Sequence, residues 1–555
     1  MTIFTQLSSL EKVMIKNYKY PEQEYTKMSV LKNETASYQI AYTKECEEGI
    51  YNASKDDFKI TVKSPLKKYI TLRAVKNVPA EYPAYIIPTD DDYISREPGL
   101  YPDLLQPLKR QNVISALNIN SSLWVTLKLD GAVEAGIYPI DITFKMTNGD
   151  EIVKKHMEVE VINACLPEQE TIFTQWFHSD CIATAYGVKI FSKKHWELIE
   201  KFIKTAVDNG INMILTPMFT PPLDTQVGGE RPTVQLVDVT VTDKGYEFGF
   251  EKLIKWINLC KKCGVKYYEM NHLFTQWGAK CAPKIIGRVN GKLKRIFGWD
   301  TPGTGDAYKE FLNAYLPELK KILKQEGIEK CTYFHISDEP HGEEQLANYI
   351  AAKEIVAPHL KEFKIIDALS QIDFYKSGAV EHPVPSNSTV CDFLDAKVPD
   401  LWTYYCCGTS KGLCNRYMCM PSYRNRAIGL QLYKFNIKGF LHWGYNFYYS
   451  QYSREIIDPF LTTDALNAFP SGDSFSVYPG TDGPWESLRL GIFYDALQDI
   501  RALKLLESFI GKEKTVALME KAVGEAITFK DYPHSAEALL NLRETVNAKI
   551  KEFCK

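Results

Sequence analysis

The sequence has no marked excess of charge of either sign and no long hydrophobic run. Its 66 basic and 69 acidic residues leave a formal net charge of −3 over 555 residues, which gives no electrostatic basis for binding nucleic acid or an anionic membrane. No apolar stretch approaches the roughly 18 residues that a membrane-spanning helix needs. We therefore expect a neutral ligand, no nucleic-acid partner and no insertion into a membrane.

The sequence also lacks a recognisable secretory signal and a patterned set of cysteines. Residues 1–20 have no basic start, no continuous apolar core and no small-residue cleavage site. The 13 cysteines are odd in number and scattered, which is typical of reduced thiols in a cytoplasmic protein. Cys260 and Cys263 have a metal-like spacing, but they lie in a helical pattern without a second pair. We expect a cytoplasmic protein with no metal site and no cofactor.

Three regions of different pattern follow one another, so we predict a multidomain protein. Residues 1–165 contain short segments that alternate apolar and polar residues, such as 123–129 and 140–144, which predicts a β-sandwich. Residues 166–480 alternate strand-like and helical segments, which predicts a (β/α)8 barrel of the TIM type. Residues 481–555 are expected to form helices that pack on the barrel.

The eight predicted barrel strands are 171–178, 212–219, 265–274, 331–337, 364–370, 388–394, 401–407 and 438–446. An insertion after the second strand, 233–250, alternates like a hairpin around Asp243–Gly245 and is expected to overhang the carboxyl ends of the strands.

The fourth predicted strand ends in two adjacent carboxylates, Asp338 and Glu339, followed by Pro340. Barrel folds place acid and base groups at the carboxyl ends of strands. Neighbouring side chains on a strand diverge, so the two carboxylates can meet one ligand only if the chain bends after Ser337. The same residues also make an acceptable helix start, with Ser or Asp as the cap, and taken alone they favour that structural interpretation.

Adjacent carboxylates suit one kind of glycoside hydrolysis better than others. An enzyme nucleophile or a general base for water must face the general acid across the sugar, with a gap of roughly 5 Å or more. Neighbours more easily lie on one side, where one protonates the leaving oxygen and the other orients a 2-acetamido group as the nucleophile. Repulsion between the pair would raise the pKa of one member.

An ordered set of motifs resembles glycoside hydrolase family 123. The motifs are F-H-I-S-D-E-P at 334–340, L-H-W-G-Y-N at 441–446, D-P at 458–459, G-D-S-F-S-V-Y-P-G at 472–480 and S-L-R-L at 487–490. The resemblance covers roughly residues 165–510. It implies a retaining exo-β-N-acetylgalactosaminidase that removes terminal β-GalNAc from glycans such as those of glycosphingolipids.

The resemblance also implies the catalytic roles. By match, Asp338 orients the acetamido group and Glu339 is the general acid/base. The sequence departs from the family pattern at Ser474, where a glycine is expected, and at Gly491 and Tyr494, where Glu and Arg are expected. These changes concern the loop after the last strand and the helix that follows it.

Candidate substrate contacts come from the other strand ends, where aromatic rings and polar tips suit a pyranose. They are Trp443, Tyr445, Asn446, His178, Asp180, Asn271, Trp402, Tyr405 and His335. Each has a structural alternative, because a Trp in a barrel is more often core and a lone His is usually hydrogen-bonded scaffold.

Two further functions stay open at this point. One is a β-N-acetylglucosaminidase or hexosaminidase of the same mechanism, which differs in the C4 hydroxyl that the pocket accepts. The other is a carbohydrate-binding protein without catalysis, which the intact carboxylate pair disfavours. Either way the expected partner is an oligosaccharide or a glycolipid glycan, and the sequence gives no oligomeric state.

Overall fold

The computed structural model describes residues 1–45, 55–87 and 90–554. Its N-terminal region consists of two five-stranded sheets that pack face to face. One sheet has the order β1-β3-β8-β5-β6 and the other the order β2-β10-β9-β4-β7. The strands are β1 (Thr2–Ser8), β2 (Lys27–Leu31), β3 (Thr35–Lys44), β4 (Asp56–Lys63), β5 (Ile70–Ala80), β6 (Gly99–Pro107), β7 (Asn112–Ser115), β8 (Ser121–Lys128), β9 (Gly136–Met146) and β10 (Ile152–Ile162).

The sandwich core lies between the inner faces of these two sheets. Phe4 and Tyr38 of the first sheet pack in one cluster with Phe58 and Phe144 of the second, and the Phe4 and Phe144 ring centroids are 4.3 Å apart. Alternation along each strand buries these rings and turns the polar neighbours outward, as the sequence pattern predicts.

Eight parallel strands in chain order form the central barrel. They are β11 (Ile172–Gln175), β12 (Met213–Thr216), β15 (Tyr267–Met270), β18 (Thr332–Phe334), β19 (Lys364–Ala368), β20 (His382–Val384), β21 (Trp402–Tyr404) and β22 (Gly439–His442). Hydrogen bonds link them from β20 round to β21. A parallel bridge between Ser386 and Tyr404 then joins the two ends of the sheet, so the carboxyl ends of all eight strands face one opening.

The prediction of the barrel is confirmed, and seven of its eight strands overlap the predicted segments. The sixth is wrong: residues 390–395 form a helix, and the strand is His382–Val384. This strand is only three residues long and is flanked by Pro385, so it shows little of the apolar run on which the prediction relied.

Helices follow most barrel strands and continue to the C-terminus. They are α1 (Ser179–Ala185), α2 (Lys193–Asp208), α3 (Glu251–Cys263), α4 (Asp306–Gln325), α5 (Gly342–Leu360), α6 (Asp373–Lys376), α7 (Val390–Asp395), α8 (Ser422–Lys434), α9 (Leu488–Ile510), α10 (Lys512–Val523) and α11 (Ala536–Phe553). Within the described residues, no helix combines the length and the apolar character that crossing a membrane requires.

The C-terminal helices begin with a helix that packs on the barrel. Phe493 of α9 stacks on Phe173 of β11 with ring centroids 4.4 Å apart. Arg489, at the start of α9, forms a two-point ion pair with Asp103 of the sandwich at 2.8 and 2.9 Å. The arginine of the S-L-R-L motif therefore ties the barrel to the N-terminal region.

The insertion after β12 forms a hairpin, as predicted. Strands β13 (Asp238–Thr242) and β14 (Gly245–Gly249) join β16 (Ile285–Val289) and β17 (Lys292–Phe297) in a four-stranded sheet. Tyr246 and Phe248 pack on Phe311 of α4, so the hairpin packs against a barrel helix. A second hairpin, β23 (Val477–Gly480) and β24 (Gly483–Glu486), precedes α9.

Candidate active site

Asp338 and Glu339 meet in one pocket because the chain bends sharply after β18. Glu339 adopts φ 41°, in the left-handed region that a non-glycine residue rarely occupies. Its amide donates to the carbonyl of Ala368 at 3.1 Å, and the carbonyl of Asp338 accepts from the amide of Trp277 at 2.8 Å. These bonds to the two neighbouring strand ends hold a strained bend of the kind found at functional sites.

Ser337 fixes the neighbouring loop to the same bend. Its hydroxyl donates to the carbonyl of Thr275 at 2.8 Å and accepts from the amides of Gly278 and Ala279. These bonds attach the loop after β15 to the carboxylate pair, and the loop places Trp277 in the pocket wall.

Tyr404 is the direct partner of Glu339. The phenol at the end of β21 donates to Oε1 of Glu339 at 2.6 Å, and burial together with the Glu339 charge raises the pKa of Tyr404 well above its usual value. Because Oε1 is occupied as an acceptor, a proton carried by Glu339 belongs on Oε2. The pair thus presents an acid with a defined orientation.

Asp338 is the member of the pair whose protonated form is favoured. Burial and then the charge of Glu339 raise the pKa of Asp338 well above that of an ordinary aspartate, and the nearby His335 opposes this rise. The expectation that repulsion would keep one carboxylate protonated therefore applies to Asp338, with burial as the larger cause.

The pocket around the pair is a cavity of about 200 Å³ with a largely aromatic wall. Its polar lining includes Asp224 and Gln276 beside the carboxylate pair. Its aromatic lining consists of Trp176, Trp277, Tyr404, Trp443, Tyr452 and Phe469. Aromatic faces combined with a few carboxylates and amides are suited to the apolar face and the hydroxyls of a sugar ring.

Two of the tryptophans are held at their indole nitrogens by buried carboxylates. Nε1 of Trp176 donates to Glu269 at 2.8 Å, and Nε1 of Trp443 donates to Asp473 at 2.7 Å. Asp473 belongs to the G-D-S motif and Trp443 to the L-H-W-G-Y-N motif, so the two motifs meet in one contact. Each ring is fixed in rotation and offers an apolar face to the pocket.

His335 supports the site from inside the barrel and does not line the pocket. It is fully buried, with Nε2 2.6 Å from Glu269 and Nδ1 3.2 Å from Asp367. Burial opposes its charge, but the two carboxylates outweigh burial and raise the pKa of His335 to about 9. A charged imidazolium therefore lies beneath the carboxylate pair.

His272, His335 and Asp367 place possible metal-ligating atoms within 4.8 Å of one another. The two imidazole rings, however, are stacked, with centroids 4.3 Å apart and planes 19° from parallel. A metal ion lies in the plane of each imidazole that binds it. Because the rings of His272 and His335 are stacked, an ion in the plane of one ring would lie far outside the plane of the other. The cluster is better suited to a buried charge network than to a metal.

Four predicted contacts at the ends of β11 and β22 belong to the scaffold instead of the pocket. The fully buried Tyr445 donates to the carbonyl of Phe202, and Asn446 bonds both the amide and the carbonyl of His178. Asp180 forms a two-point ion pair with Arg231 at 2.7 and 2.9 Å, and the same guanidinium lies 3.1 Å from Nδ1 of His178.

Three further predicted contacts also lie outside the pocket lining. Trp402 lies against Gly439 of the adjacent strand, where an added Cβ would come within 2.0 Å of its ring, so it is part of the barrel wall. The Tyr405 hydroxyl donates to Asn425 in the core. Asn271 accepts from the amide of Phe219. Of the predicted substrate contacts, Trp443 is the one that lines the pocket.

Asp224 is a pocket carboxylate that the sequence reasoning missed. It adopts φ 38°, and its Oδ2 accepts from the amide of Tyr452 at 3.0 Å. Burial raises the pKa of Asp224 to about 6. The buried Arg231 donates to the carbonyl of Leu223, so His178 and Asp180 act by anchoring the loop that presents Asp224. No motif marks this residue, since its position depends on contacts between two distant loops.

Comparison with solved structures shows the same fold in a family 123 glycoside hydrolase from Clostridium perfringens, studied for glycolipid glycan hydrolysis. The TM-score is 0.73 at 16% identity, with 100% of this chain and 99% of that chain covered. A GH2 β-galacturonidase from Eisenbergiella tayi (TM-score 0.30, 10% identity, 84% and 69% covered) and an endo-β-1,4-mannanase from Thermotoga petrophila (0.31, 10%, 60% and 77%) are too distant to support an argument.

No curated protein matches the sequence significantly. The family model described as "Glycoside hydrolase 123, catalytic domain" matches residues 176–506, which is more than half of the chain. The matched range begins directly after β11 and ends within α9, so it contains the carboxylate pair and every strand-end loop that lines the pocket. The chain belongs to glycoside hydrolase family 123 and is a glycoside hydrolase.

Proposed function

We propose that this enzyme is a retaining exo-β-N-acetylgalactosaminidase that uses the 2-acetamido group of its substrate as the nucleophile. The observation that carries the proposal is the placement of Asp338 and Glu339 on one wall of the pocket, with Tyr404 fixing Oε1 of Glu339 at 2.6 Å. Consecutive residues are poorly placed to reach opposite faces of one sugar ring, so this pair suits participation by the substrate.

The first step follows from these positions. Oε2 of Glu339 donates its proton to the glycosidic oxygen while the acetamide carbonyl oxygen attacks C1 from the opposite face. The bond from C1 to the leaving oxygen breaks, and an oxazolinium-like ring forms. Ionised Asp338 accepts the acetamide N–H, which orients the nucleophile and stabilises the positive charge that develops on it.

The second step returns the enzyme to its starting state. A water molecule takes the place of the leaving group, and Glu339, now ionised, accepts its proton as the water attacks C1. The ring opens to the acetamide, and the sugar leaves with its original β configuration. His335 lies beneath Asp338 as an imidazolium, which favours the ionised form of Asp338 when the substrate amide replaces its proton.

Asp224 offers a competing nucleophile, because it is a third carboxylate in the pocket wall. Its Oδ2 is already engaged by the amide of Tyr452, and a pKa of about 6 leaves it partly protonated near neutrality. Both features weaken a nucleophile, whereas the ionised fraction of Asp224 can still accept hydrogen bonds from sugar hydroxyls. We therefore assign Asp224 to substrate binding.

The size of the pocket favours removal of single terminal residues. A cavity of about 200 Å³ is smaller than the roughly 300–1,000 Å³ typical of sites for drug-sized ligands, and it suits one sugar ring. We propose terminal β-GalNAc on oligosaccharides or glycolipid glycans as the substrate. The family resemblance supports the galacto configuration, and the related Clostridium perfringens enzyme was studied on glycolipid glycans.

The test is hydrolysis of paired aryl β-GalNAc and β-GlcNAc substrates, with the configuration of the first product read by NMR. We expect a higher kcat/KM for β-GalNAc, initial release of the β-anomer and no turnover of a substrate that lacks the acetamide. Faster β-GlcNAc hydrolysis would move the assignment to a glucosaminidase. A first product in the α form, or a sugar trapped on Asp224, would exclude substrate participation.

A further inference from the structure

Two consecutive cysteines, Cys406 and Cys407, lie in the wall of the catalytic pocket. Adjacent side chains in a strand point to opposite faces, but β21 ends at Tyr404 and the chain turns at Cys407 and Gly408. The turn brings both side chains to the same pocket wall. Both residues are half-buried, so the sulfur atoms are reached from the pocket.

The backbone of this turn is held on several sides. The carbonyl of Cys406 accepts from the amide of Thr409 at 3.1 Å and from Nδ2 of Asn415 at 2.9 Å. The Tyr417 hydroxyl lies 3.1 and 2.8 Å from the carbonyls of Cys406 and Cys407. These bonds fix the backbone of the turn, and both cysteines line the same pocket, which is the arrangement that a two-sulfur ligand needs.

Cys406 and Cys407 lie between Glu339 and Tyr85, a residue of the N-terminal region. The contact with Cys407, then burial and the nearby Glu339 raise the pKa of Cys406 well above its usual value. Cys407 in turn contacts the hydroxyl of Tyr85. A group bound to both sulfurs would therefore occupy the wall beside Glu339, where the leaving group must depart.

We propose that Cys406 and Cys407 form a vicinal dithiol site for soft, thiophilic ligands that bridge two sulfurs, and that its occupation blocks the catalytic pocket. A trivalent arsenical is the matching chemistry. With an arsenoxide R–As=O, two As–S bonds form, the arsenic–oxygen bond breaks, and both thiol hydrogens leave with the oxygen as one water molecule. No atom changes its oxidation state, so the step needs no oxidant.

A disulfide is the less suitable product of the same pair. Consecutive Cα atoms are about 3.8 Å apart, whereas disulfides usually join Cα atoms 4.4–6.8 Å apart, so direct oxidation would strain the turn. The raised pKa of Cys406 keeps its thiol protonated, and a protonated thiol reacts slowly with oxidants. A bridging arsenic avoids both obstacles. It leaves the sulfur atoms further apart than a disulfide does, and the arsenoxide oxygen removes both thiol hydrogens as water.

The experiment titrates phenylarsine oxide against the full-length enzyme and reads intact mass and hydrolysis of the aryl substrate. The variants are Cys406→Ser and Cys407→Ser, with Cys165→Ser and Cys391→Ser as controls at exposed cysteines. Each activity is normalised to the same variant without arsenical. Reversal is compared between a dithiol and a monothiol at equal thiol concentration.

We expect one tightly bound phenylarsenic in the wild type and in both controls, with loss of activity that the dithiol reverses and the monothiol does not. Loss of either pocket thiol should weaken binding by about 100-fold or more, because the second As–S bond forms intramolecularly. Unchanged tight binding in Cys407→Ser, or binding without inhibition, would overturn the proposal. The mass readout tests the site even if the aryl substrate is not the one that the enzyme hydrolyses.

Discussion

Tyr404 donates its hydroxyl hydrogen to Oε1 of Glu339 across 2.6 Å, although the two residues lie 65 positions apart, Tyr404 at the end of β21 and Glu339 in the loop after β18. The contact crosses the pocket between β18 and β21 and leaves Oε2 as the oxygen that can carry the acid proton. It is the geometric basis for assigning the acid role to Glu339, and it gives Asp338 the remaining role of orienting the acetamide.

The two carboxylates should fail in different ways when they are substituted. Glu339→Gln should lose roughly 100- to 10,000-fold in kcat/KM with a poor leaving group and much less with an activated aryl group, because the acid matters most when the leaving oxygen needs a proton. Asp338→Asn should impair both substrates to a similar degree. The measurement is kcat/KM over a series of leaving groups; equal leaving-group dependence in the two variants would contradict the assignment.

Tyr404→Phe should reduce kcat/KM by about 10- to 100-fold, since a hydrogen bond to a charged group contributes roughly 1.5–3 kcal/mol. Tyr405→Phe is the matched control: its hydroxyl is bonded to Asn425 in the core, so we expect a loss of stability with little change in kcat. Steady-state kinetics and thermal melts on both variants separate the two effects. A larger kinetic loss in Tyr405→Phe would show that the phenols have been assigned the wrong way round.

The stability of the protein should depend on Asp338 in a pH-dependent manner. The folded-state pKa of Asp338 is raised, so the folded form holds this proton more tightly than the unfolded chain, whose aspartates titrate near 3.9. Stability is therefore lost as the pH rises above about 4 toward the folded pKa. The difference in Tm between Asp338→Asn and wild type should increase with pH over that range. A flat difference, as expected for the exposed control Asp243→Asn, would refute the shift.

Asp224 should govern substrate affinity in the pH range of its own ionisation. In its proposed role, ionised Asp224 accepts hydrogen bonds from sugar hydroxyls. Its pKa of about 6 means that this capacity is present at higher pH and lost as the pH falls through 6. In the wild type KM should rise below pH 6. In Asp224→Asn we expect a KM raised about 10-fold, the cost of roughly one hydrogen bond, and no such dependence on pH. A selective fall in kcat with unchanged KM would indicate a chemical role instead.

The fold and the carboxylate pair that lines the pocket could be predicted from the sequence because both depend on contiguous residues. The carboxylates are consecutive, and most barrel strands are apolar segments between turn residues. The sixth strand was missed because the three residues His382–Val384 make a shorter apolar signal than the helix at 390–395 that follows. Strand periodicity could not show which of Tyr404 and Tyr405 faces the pocket. The strand ends between the two residues, and the alternation of side-chain direction ends with the strand.

The secondary contacts were harder to predict because they arise from pairing between distant segments. His178 and Asp180 have the composition of sugar ligands, but Arg231, some 50 positions away, satisfies both. Asp224 has no local pattern at all, and its orientation is fixed by Tyr452 from another loop. A single sequence shows which polar groups are present at strand ends, but which of them are satisfied by the protein is determined by the tertiary structure.

Breaking the buried pair of Asp180 and Arg231 should strongly destabilise the active-site loops. Both side chains are about 1% exposed, and removing one partner leaves a buried charge without compensation, which typically costs about 3–5 kcal/mol. We expect Asp180→Asn to lower the free energy of unfolding by that amount in urea titrations. KM should rise as well, because Arg231 holds the loop that presents Asp224. The double variant Asp180→Asn with Arg231→Met should recover much of the stability but not the affinity, since it removes the unpaired charge without restoring the anchor.

The exposed pair of Lys201 and Asp482 provides the control, where Asp482→Asn should change stability by less than about 1 kcal/mol. Equal effects of Asp180→Asn and Asp482→Asn would show that the buried pair is not an anchor.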